Sequence, residues 1–569
     1  MNRFLSFTAL LFIFVTVTRP LAAQNKQGKD NSLLPEIDPQ DIEIRSQFKA
    51  RFPGLRRQPI LGFDPTPRVY QIDPNRKPFM ETPEQVVANL PVSKLSRPEP
   101  PAYIPLQYSS NISAFGRFGI GNYVSPEAKF WGVRHINPKS YVGGDFDYSS
   151  SDGHLDNQNS SFRFFNANGE YATKLSSRDR LDVDGGIQSS FNQMFDLSAA
   201  SGIPDNARQE YDGFNVGAEF QHFKNSITGW KAQANIRYYN TNLKNAASLS
   251  GTSQERVYRG SIAKRWAGSH VNETFTIKVG AKGGNYDNNT ISGDNWLTGQ
   301  GGVSYHRLFD YSTNVTADVN AYYVSDAVDS KVYFGPSLKI DQPLLDMLDL
   351  TVKGSAEPYV NTVEQLHSQN RFLNVNNTLL HTYRIKGTAE LSLDYSSVGT
   401  LNFGVQYEDY SNYPVYMRTS AGGPTPDYLF YQVNYMDAYK ARAYASVAHQ
   451  IIPEKFWLNA KVYIQSPHIK NGGRIPYEEK VGAHSSLGVR PFDKLSIEAW
   501  ADYVGSRKTF QTRQKLNGFL LLGGKVDFDI SDHFGAYVKL VNLLNQDYQV
   551  WQGYTERPFQ VYGGVTVKL

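Results

Sequence analysis

The chain has 569 residues, no cysteine, a net charge of +4, 13% aromatic residues and 46 glycines. Without cysteine it has no disulfide, no thiol nucleophile, no thiolate metal ligand and no lipid-modified cysteine at a processing site. So small a charge on so long a chain gives no ground for a nucleic-acid partner, and a mean hydropathy of −0.47 describes a chain that is polar overall.

In chain order, the first element is a targeting segment. Arg3 precedes a mostly apolar run, Phe4–Thr18, and "RPLAAQ" offers a small-residue cleavage site after Ala23. Residues 1–23 therefore read as a secretory signal peptide rather than a retained anchor. No second stretch of 18 apolar residues follows, so no other segment is a candidate spanning helix.

The next element, residues 24–108, holds 14 of the 29 prolines, in phrases such as "FDPTPRVYQIDPNRKP" and "SRPEPPAYIP". Proline fixes φ and removes a backbone donor, which excludes both a regular sheet and a long helix. Thr82–Leu90 can form one short helix, with Thr82 as cap and Pro83 at its first position. The segment reads as an extended periplasmic arm that depends on a periplasmic or outer-membrane protein partner.

From residue 109 to 569 the pattern is alternation. Trp230, Ala232, Ala234, Ile236 and Tyr238 alternate with Lys231, Gln233, Asn235, Arg237 and Tyr239; Phe275, Ile277, Val279 and Ala281 alternate with Thr276, Lys278, Gly280 and Lys282. Leu495, Ile497, Ala499 and Ala501 alternate with Ser496, Glu498, Trp500 and Asp502, and Leu520–Ile530 continues in the same way. Segments of about ten residues suit tilted strands that cross a bilayer.

Tight connections (Ser176–Asp179, Lys224–Gly229, Ala267–Asn272, Ser396–Gly399, Pro491–Lys494, Ser531–His533) separate longer polar loops. The loops are expected at Asp196–Ala207, Thr241–Ser253, Asn361–Thr378, Ser411–Tyr428 and Asn545–Pro558. That sidedness belongs to outer-membrane barrels, although Asn122–Ser125 and Ser325–Ser330 are brief where a long loop is due. Segmentation from Ser110 to Leu569 yields 22 strands. A propeller or sandwich array would also need many strands, but no blade-like repeat recurs.

The fold class is thus all-β: a transmembrane antiparallel β-barrel of about 22 strands behind a proline-rich arm, in the outer membrane of a Gram-negative cell. The last strand places Phe559, Val561, Val565, Val567 and Leu569 on one face. Lipid supplies no hydrogen-bond partners, so this strand should zip to the first and close the sheet.

The terminal hairpin, Val538–Leu569, resembles that of TonB-dependent outer-membrane receptors. The family's N-L-x-N-x-x-Y phrase is matched by Asn542, Leu543, Asn545 and Tyr548, and its arginine-proline phrase by Arg557-Pro558. The resemblance implies a 22-stranded transport barrel. Two features depart from it. The chain ends in Leu569 where the family usually ends in Phe, and the 85 residues of the arm are too proline-rich for the family's globular plug. Asp41–Arg45, "DIEIR", has the look of the family's coupling peptide; without a plug, energised uptake does not follow.

No catalytic motif is present: no GxSxG, HExxH, Walker loop or cysteine nucleophile, and no cofactor is implied. His367, His381, His449, His468 and His484 share no metal-ligand spacing. Lys231, Arg237, Lys278, Lys282, Glu498, Asp502, Lys525, Asp527 and Asp529 are candidate lumen-facing residues, either lining a substrate path or simply pairing inside a wide barrel. The glycines of "GRFGIGNY" (Gly116–Tyr123) lie in a strand, not in a phosphate loop. Tyr108, Phe223, Trp230, Phe456 and Tyr503 suit an interfacial girdle.

Two functions fit. One is a barrel of transport or receptor machinery, its lumen occluded by the arm, by loops or by a partner. The other is a non-transporting scaffold that docks envelope proteins for secretion or surface assembly.

Overall fold

The computed structural model describes residues 113–569, except 157, 199–205, 225–226, 247–249, 271, 290–292, 311, 397, 421–427 and 511–514. The signal peptide at 1–23, the arm at 24–108, its short helix, "DIEIR" and Tyr108 all lie outside the described residues.

The described chain is one closed antiparallel sheet of 22 strands. It begins with β1 (Ala114–Gly121), β2 (Ser125–Asn137), β3 (Ser140–Ser151), β4 (Phe162–Lys174) and β5 (Asp179–Gln193). Next come β6 (Arg208–Phe223), β7 (Gly229–Lys244), β8 (Gly251–Ala267), β9 (Thr274–Asn288), β10 (Asp294–Phe309) and β11 (Thr313–Ser325). The wall continues through β12 (Ser330–Leu345), β13 (Leu348–Val360), β14 (His381–Ser396), β15 (Gly399–Ser420) and β16 (Tyr428–Ile452). After β17 (Phe456–Ile469), β18 (Val481–Phe492) and β19 (Leu495–Val504), a small loop hairpin of β20 (Arg507–Lys508) and β21 (Lys515–Leu516) intervenes. The wall resumes with β22 (Phe519–Asp529) and β23 (Phe534–Val541). A second loop hairpin, β24 (Gln549–Trp551) and β25 (Tyr554–Thr555), precedes the terminal strand β26 (Gln560–Lys568).

Closure is as expected. β26 pairs with β23 on one side and with β1 on the other, from Phe115↔Lys568 to Gly121↔Tyr562. Beyond the strand ends, the Ser113 hydroxyl donates to the Leu569 carbonyl at 3.1 Å and the Leu569 amide to the Ala114 carbonyl at 2.8 Å. The whole ladder is thereby satisfied, as an apolar medium requires.

Alternation sorts the two faces. Phe118, Ile120, Ile187, Phe214, Val216, Ile236, Ile262, Val279, Val303, Phe403, Val405, Val462, Ile464 and Val565 are exposed large apolar side chains. Soluble proteins do not leave so continuous an apolar belt in water; it is the lipid-facing surface of a transmembrane barrel. Phe223, Trp230 and Tyr503 are exposed near strand ends, as girdle residues should be, while Phe456 is half-buried.

Two local expectations need correction, while Ser110, expected to open the first strand, lies outside the described residues, of which β1 takes Ala114–Gly121. The loop expected at Thr241–Ser253 is mostly strand, since β7 reaches Lys244 and β8 begins at Gly251. Most of Ser411–Tyr428, read as loop for its Ser, Asn and Gly content, belongs to a ladder that extends the β15–β16 hairpin as far as Ser420↔Tyr428. There Asn412, at φ +58, absorbs a bulge, and Tyr413, Val415 and Met417 then pair with Met436, Asn434 and Gln432. Aromatic and β-branched residues favour such pairing over a free loop.

The wall is uneven in height. β15 and β16 run to 22 and 25 residues, whereas β1, β23 and β26 have 8, 8 and 9. Tight turns gather at one end of the barrel and the long connections at the other, where 122–124 and 326–329 stay short as the sequence indicated.

Candidate functional site

The long connections fold together over their end of the barrel. Phe195–Ser198 forms a one-turn helix, α1. Val363–Gln369 forms α2, started by a capping box in which Thr362 accepts from the Gln365 amide and Gln365 reaches back to the Thr362 amide at 3.1 Å. Such reciprocal bonds satisfy two otherwise orphaned donors and let a seven-residue helix stand in a loop.

Around these helices lies one buried cluster. It joins Phe195, Leu366, Phe372, Leu373, Tyr416, Tyr431, Tyr477, Val550, Trp551 and Tyr554 from the connections and the long hairpin. It also contains wall residues from many strands, among them Tyr211, Tyr239, Val257, Tyr286, Trp296, Tyr322, Val360, Trp500, Phe519 and Val541. The cluster therefore runs from wall to wall. Phe372 and Tyr554 stack at 3.5 Å between centroids, and Trp551 packs against Tyr477 at 4.7 Å and Tyr431 at 5.0 Å.

Polar contacts pin this cap to the wall. The Trp296 indole donates to Glu255 at 2.9 Å, and the other oxygen of Glu255 accepts the Val363 amide at 2.8 Å, at the N-terminus of α2. Gln209 donates to the Leu373 carbonyl at 2.8 Å, Tyr211 to the Arg371 carbonyl, and Tyr416 to Gln369 at 2.7 Å. Arg371 meets Glu556 at 3.3 Å, and Arg418 on β15 pairs with Asp196 of α1. Arg507, fully buried, donates to the carbonyls of Gln549 and Val550 at 2.6 and 3.0 Å.

Burial tunes the cap's titrating groups. It pushes the His367 imidazole down to about 3. It also pushes His154 down to about 4, with help from the nearby Arg557 cation. Burial raises Asp196 despite its Arg418 partner. Asp326 goes the other way: burial would raise it, but hydrogen bonds from His381 and from the Val328 and Asp329 amides hold it at about 2.

The terminal motif has a local role. Asn542 and Asn545 adopt φ +52 and +48, conformations asparagine tolerates better than most residues. The Asn542 side chain accepts from the Gln546 amide at 3.0 Å and donates to the Gln546 carbonyl at 2.9 Å, folding the chain out of β23. Asn545 accepts the Phe559 amide at 2.9 Å, so the loop begins and ends at one place. Tyr548 is buried against Phe519, and Leu543 is exposed. Arg557 is buried, donates to the Tyr562 hydroxyl at 2.9 Å and lies over the Phe162 ring. In β26, Val561 and Val565 are exposed while Val567 is half-buried, and Leu569 follows the strand, also exposed.

The candidate lumen residues fall into separate groups. Lys525 sits 3.3 Å from Glu498 and 3.2 Å from Asp527, and Asp502 holds His484 at 2.6 Å. Asp529 pairs with Lys568 at 2.6 Å. Lys231 pairs with Glu219 at 2.8 Å, Arg237 reaches Glu364 of α2 at 2.6 Å, and Lys282 lies over the Trp296 ring at 5.2 Å. Lys278 is half-buried on β9. Among the described residues no group of three His, Asp or Glu side chains is placed to hold a metal ion.

Sequence reasoning allowed for loops occluding the lumen but named none of the residues that form the cap. Trp551, Tyr554 and Phe372 stand in segments rich in Asn, Gln and Gly; the only available signal was that loops so polar carried large aromatics.

A closed barrel with a lipid-facing belt, tight turns at one end and a folded cap at the other defines the class of outer-membrane β-barrels. No known family model and no curated protein sequence matches the chain. Solved structures do. The siderophore receptor PirA from Acinetobacter baumannii aligns at a TM-score of 0.62 with 10% identity, over 80% of each chain. The ferric-catecholate import receptor Fiu from Escherichia coli K12 aligns at 0.60 with 10% identity, over 81% of this chain and 82% of that one. The FrpB iron transporter from Neisseria meningitidis aligns at 0.62 with 8% identity, over 80% and 81%. The fold expected from the terminal hairpin, that of TonB-dependent receptors, is the fold found.

Proposed function

We propose that this chain is a barrel of outer-membrane transport or receptor machinery whose long-loop mouth is shut by its own connections. The observation that carries the reading is the wall-to-wall buried cluster. A barrel of 22 strands encloses more space than its wall side chains can fill, and here the loops supply a packed obstruction. The likeness to receptors whose names describe iron and siderophore import supports transport.

In this reading Lys231, Arg237, Lys278, Lys282, Glu498, Asp502, Lys525 and Asp527 line the lumen. The arm at 24–108 engages a periplasmic or outer-membrane partner. Planar-bilayer recording tests the cap. The intact protein should conduct little, and replacing residues 361–380 with a short Gly-Ser link should raise single-channel conductance sharply. Unchanged conductance after that replacement would show that the loops are not the barrier. The scaffold reading gains from the same cap, since a packed surface suits docking; it would be favoured if the opened protein still conducted nothing and partners co-purified only with the intact cap.

A further inference from the structure

The strands that close the barrel are the least able to choose their own register. β1 and β26 share seven paired positions, against sixteen between β6 and β7. Glycine occupies positions 116, 119 and 121 of β1 and 563 and 564 of β26. Along the exposed face, Phe118 and Ile120 can meet Gly563, Val565 or Val567 without offence. Short, glycine-rich strands specify register weakly, and a slip of two residues keeps every side chain on its own face.

The buried polar face behaves differently. One lateral row reads Tyr537 on β23, Gly564 on β26, Gly119 on β1 and Glu127 on β2. The two glycines leave a trough, and the Tyr537 side chain crosses it to donate to Glu127 at 2.6 Å. A Cβ on Gly119 would occupy the place of the Tyr537 hydroxyl, and one on Gly564 would collide with the Phe118 carbonyl. Lys539, two residues further along β23, lies over the Tyr562 ring at 4.1 Å and pairs with the same Glu127. From the other direction, Arg117 on β1 passes over the Tyr537 ring at 4.8 Å to Asp527 on β22 at 3.4 Å. Glu127, Arg117, Tyr537 and Lys539 are all more than nine-tenths buried.

These contacts skip whole strands: Glu127 and Lys539 are separated by β1 and β26. We propose that Glu127, with Tyr537, Lys539 and the Arg117–Asp527 pair, is the key that selects the register in which the first strand accepts the last. Shifting β1 and β2 by two residues one way brings Arg117 into the trough and Lys129 to the place of Glu127. Shifting them the other way brings Gly121 and Ser125. The first puts cations against Lys539 and fills the trough; the second leaves Lys539 buried without its carboxylate. Either is costly for a buried charge. Register selection is the best-attested use of such buried pairs, and it stands whether or not the barrel transports anything.

The absence of native cysteine makes the test clean. Phe118 and Val565 are register partners on the exposed face, so F118C/V565C should form a disulfide, and F118C/V567C should report the slip of two that brings Gly121 and Ser125 into the row. The proteins are refolded from urea into detergent micelles and oxidised. In the otherwise native chain the 118/565 product should dominate. In E127L/K539M, an apolar pair that removes both charges of the Glu127–Lys539 contact and orphans neither, the 118/567 product should rise from a trace to a comparable amount. The reversed pair E127K/K539E should restore part of the native preference. If E127L/K539M closes only in the native register, the charges merely stabilise the seam and the proposal is overturned. If all three pairings fail to fold, shape rather than charge at these positions governs closure, and the proposal is equally overturned.

Discussion

Gly563 and Gly564 are neighbours with opposite obligations. A Cβ at 563 would meet nothing within 4 Å, whereas one at 564 would strike the backbone of β1 and the Tyr537 ring. Gly564→Ala should cost about 1–3 kcal/mol of barrel stability, the range for forced overpacking, and Gly563→Ala within about 0.5 kcal/mol. Urea titration of the purified protein in micelles would measure both; equal effects would remove the trough from the argument. Among the titrating residues, His154 and His367 have folded values of about 4 and about 3, against about 6.5 when unfolded. Between those limits the unfolded loops bind more protons, so cap stability falls as pH drops from about 6.5 towards 4 and below. His154 faces Arg557, Arg371, Asp547 and the Thr555 carbonyl, while His367 meets Thr241, Tyr211 and Tyr239. Limited proteolysis of the loops at pH 7 and pH 4.5 should show faster cutting in acid. His154→Asn should flatten the difference, and equal cutting rates would contradict the reading.

For elements, legibility followed periodicity. The stretch Trp230–Tyr239 of β7 announces itself by alternation because one face must meet lipid, while its continuation to Lys244 did not, and β26 was readable to within a residue for the same reason as Trp230–Tyr239. The upper β15–β16 hairpin was not readable, because above the membrane neither face is held to lipid and the alternation lapses. The seam's charge pairs were invisible for another reason. Arg117 and Asp527 lie 410 residues apart, and nothing local in either strand names the other. Removal of Val561–Leu569 should leave two unsatisfied edges in lipid, each orphaned group costing several kcal/mol. Degradation is expected instead of a shortened membrane product, as immunoblots of membrane fractions would show. Leu569→Phe should be tolerated, since Leu569 is exposed beyond the final strand.

At the scale of the whole molecule, a closed sheet with satisfied ladders should resist unfolding in detergent. It should migrate differently on gels with and without boiling, and fractionate with the outer membrane; recovery from the soluble periplasm would contradict the barrel's placement. The arm supplies the other whole-molecule test. Deleting Gln24–Arg97 while keeping residues 1–23 should leave the barrel foldable. A sharp conductance rise would identify the arm as a second obstruction. Unchanged conductance with loss of co-purifying proteins would identify it as a tether, the expected result given the cap.

The uneven wall has a consequence for the bilayer itself. An eight-residue strand tilted at about 45° rises roughly 19 Å, short of the roughly 30 Å of a typical hydrocarbon layer. Beside β23, β26 and β1 the lipid must therefore thin, or the apolar surface must continue above the strands. It does continue: Val124, Leu543 and Leu544 are exposed at the loop ends of these same strands. The turn that follows Asn542 thus extends the apolar surface on the short side of the barrel and lessens the mismatch that the surrounding leaflet would otherwise absorb by thinning.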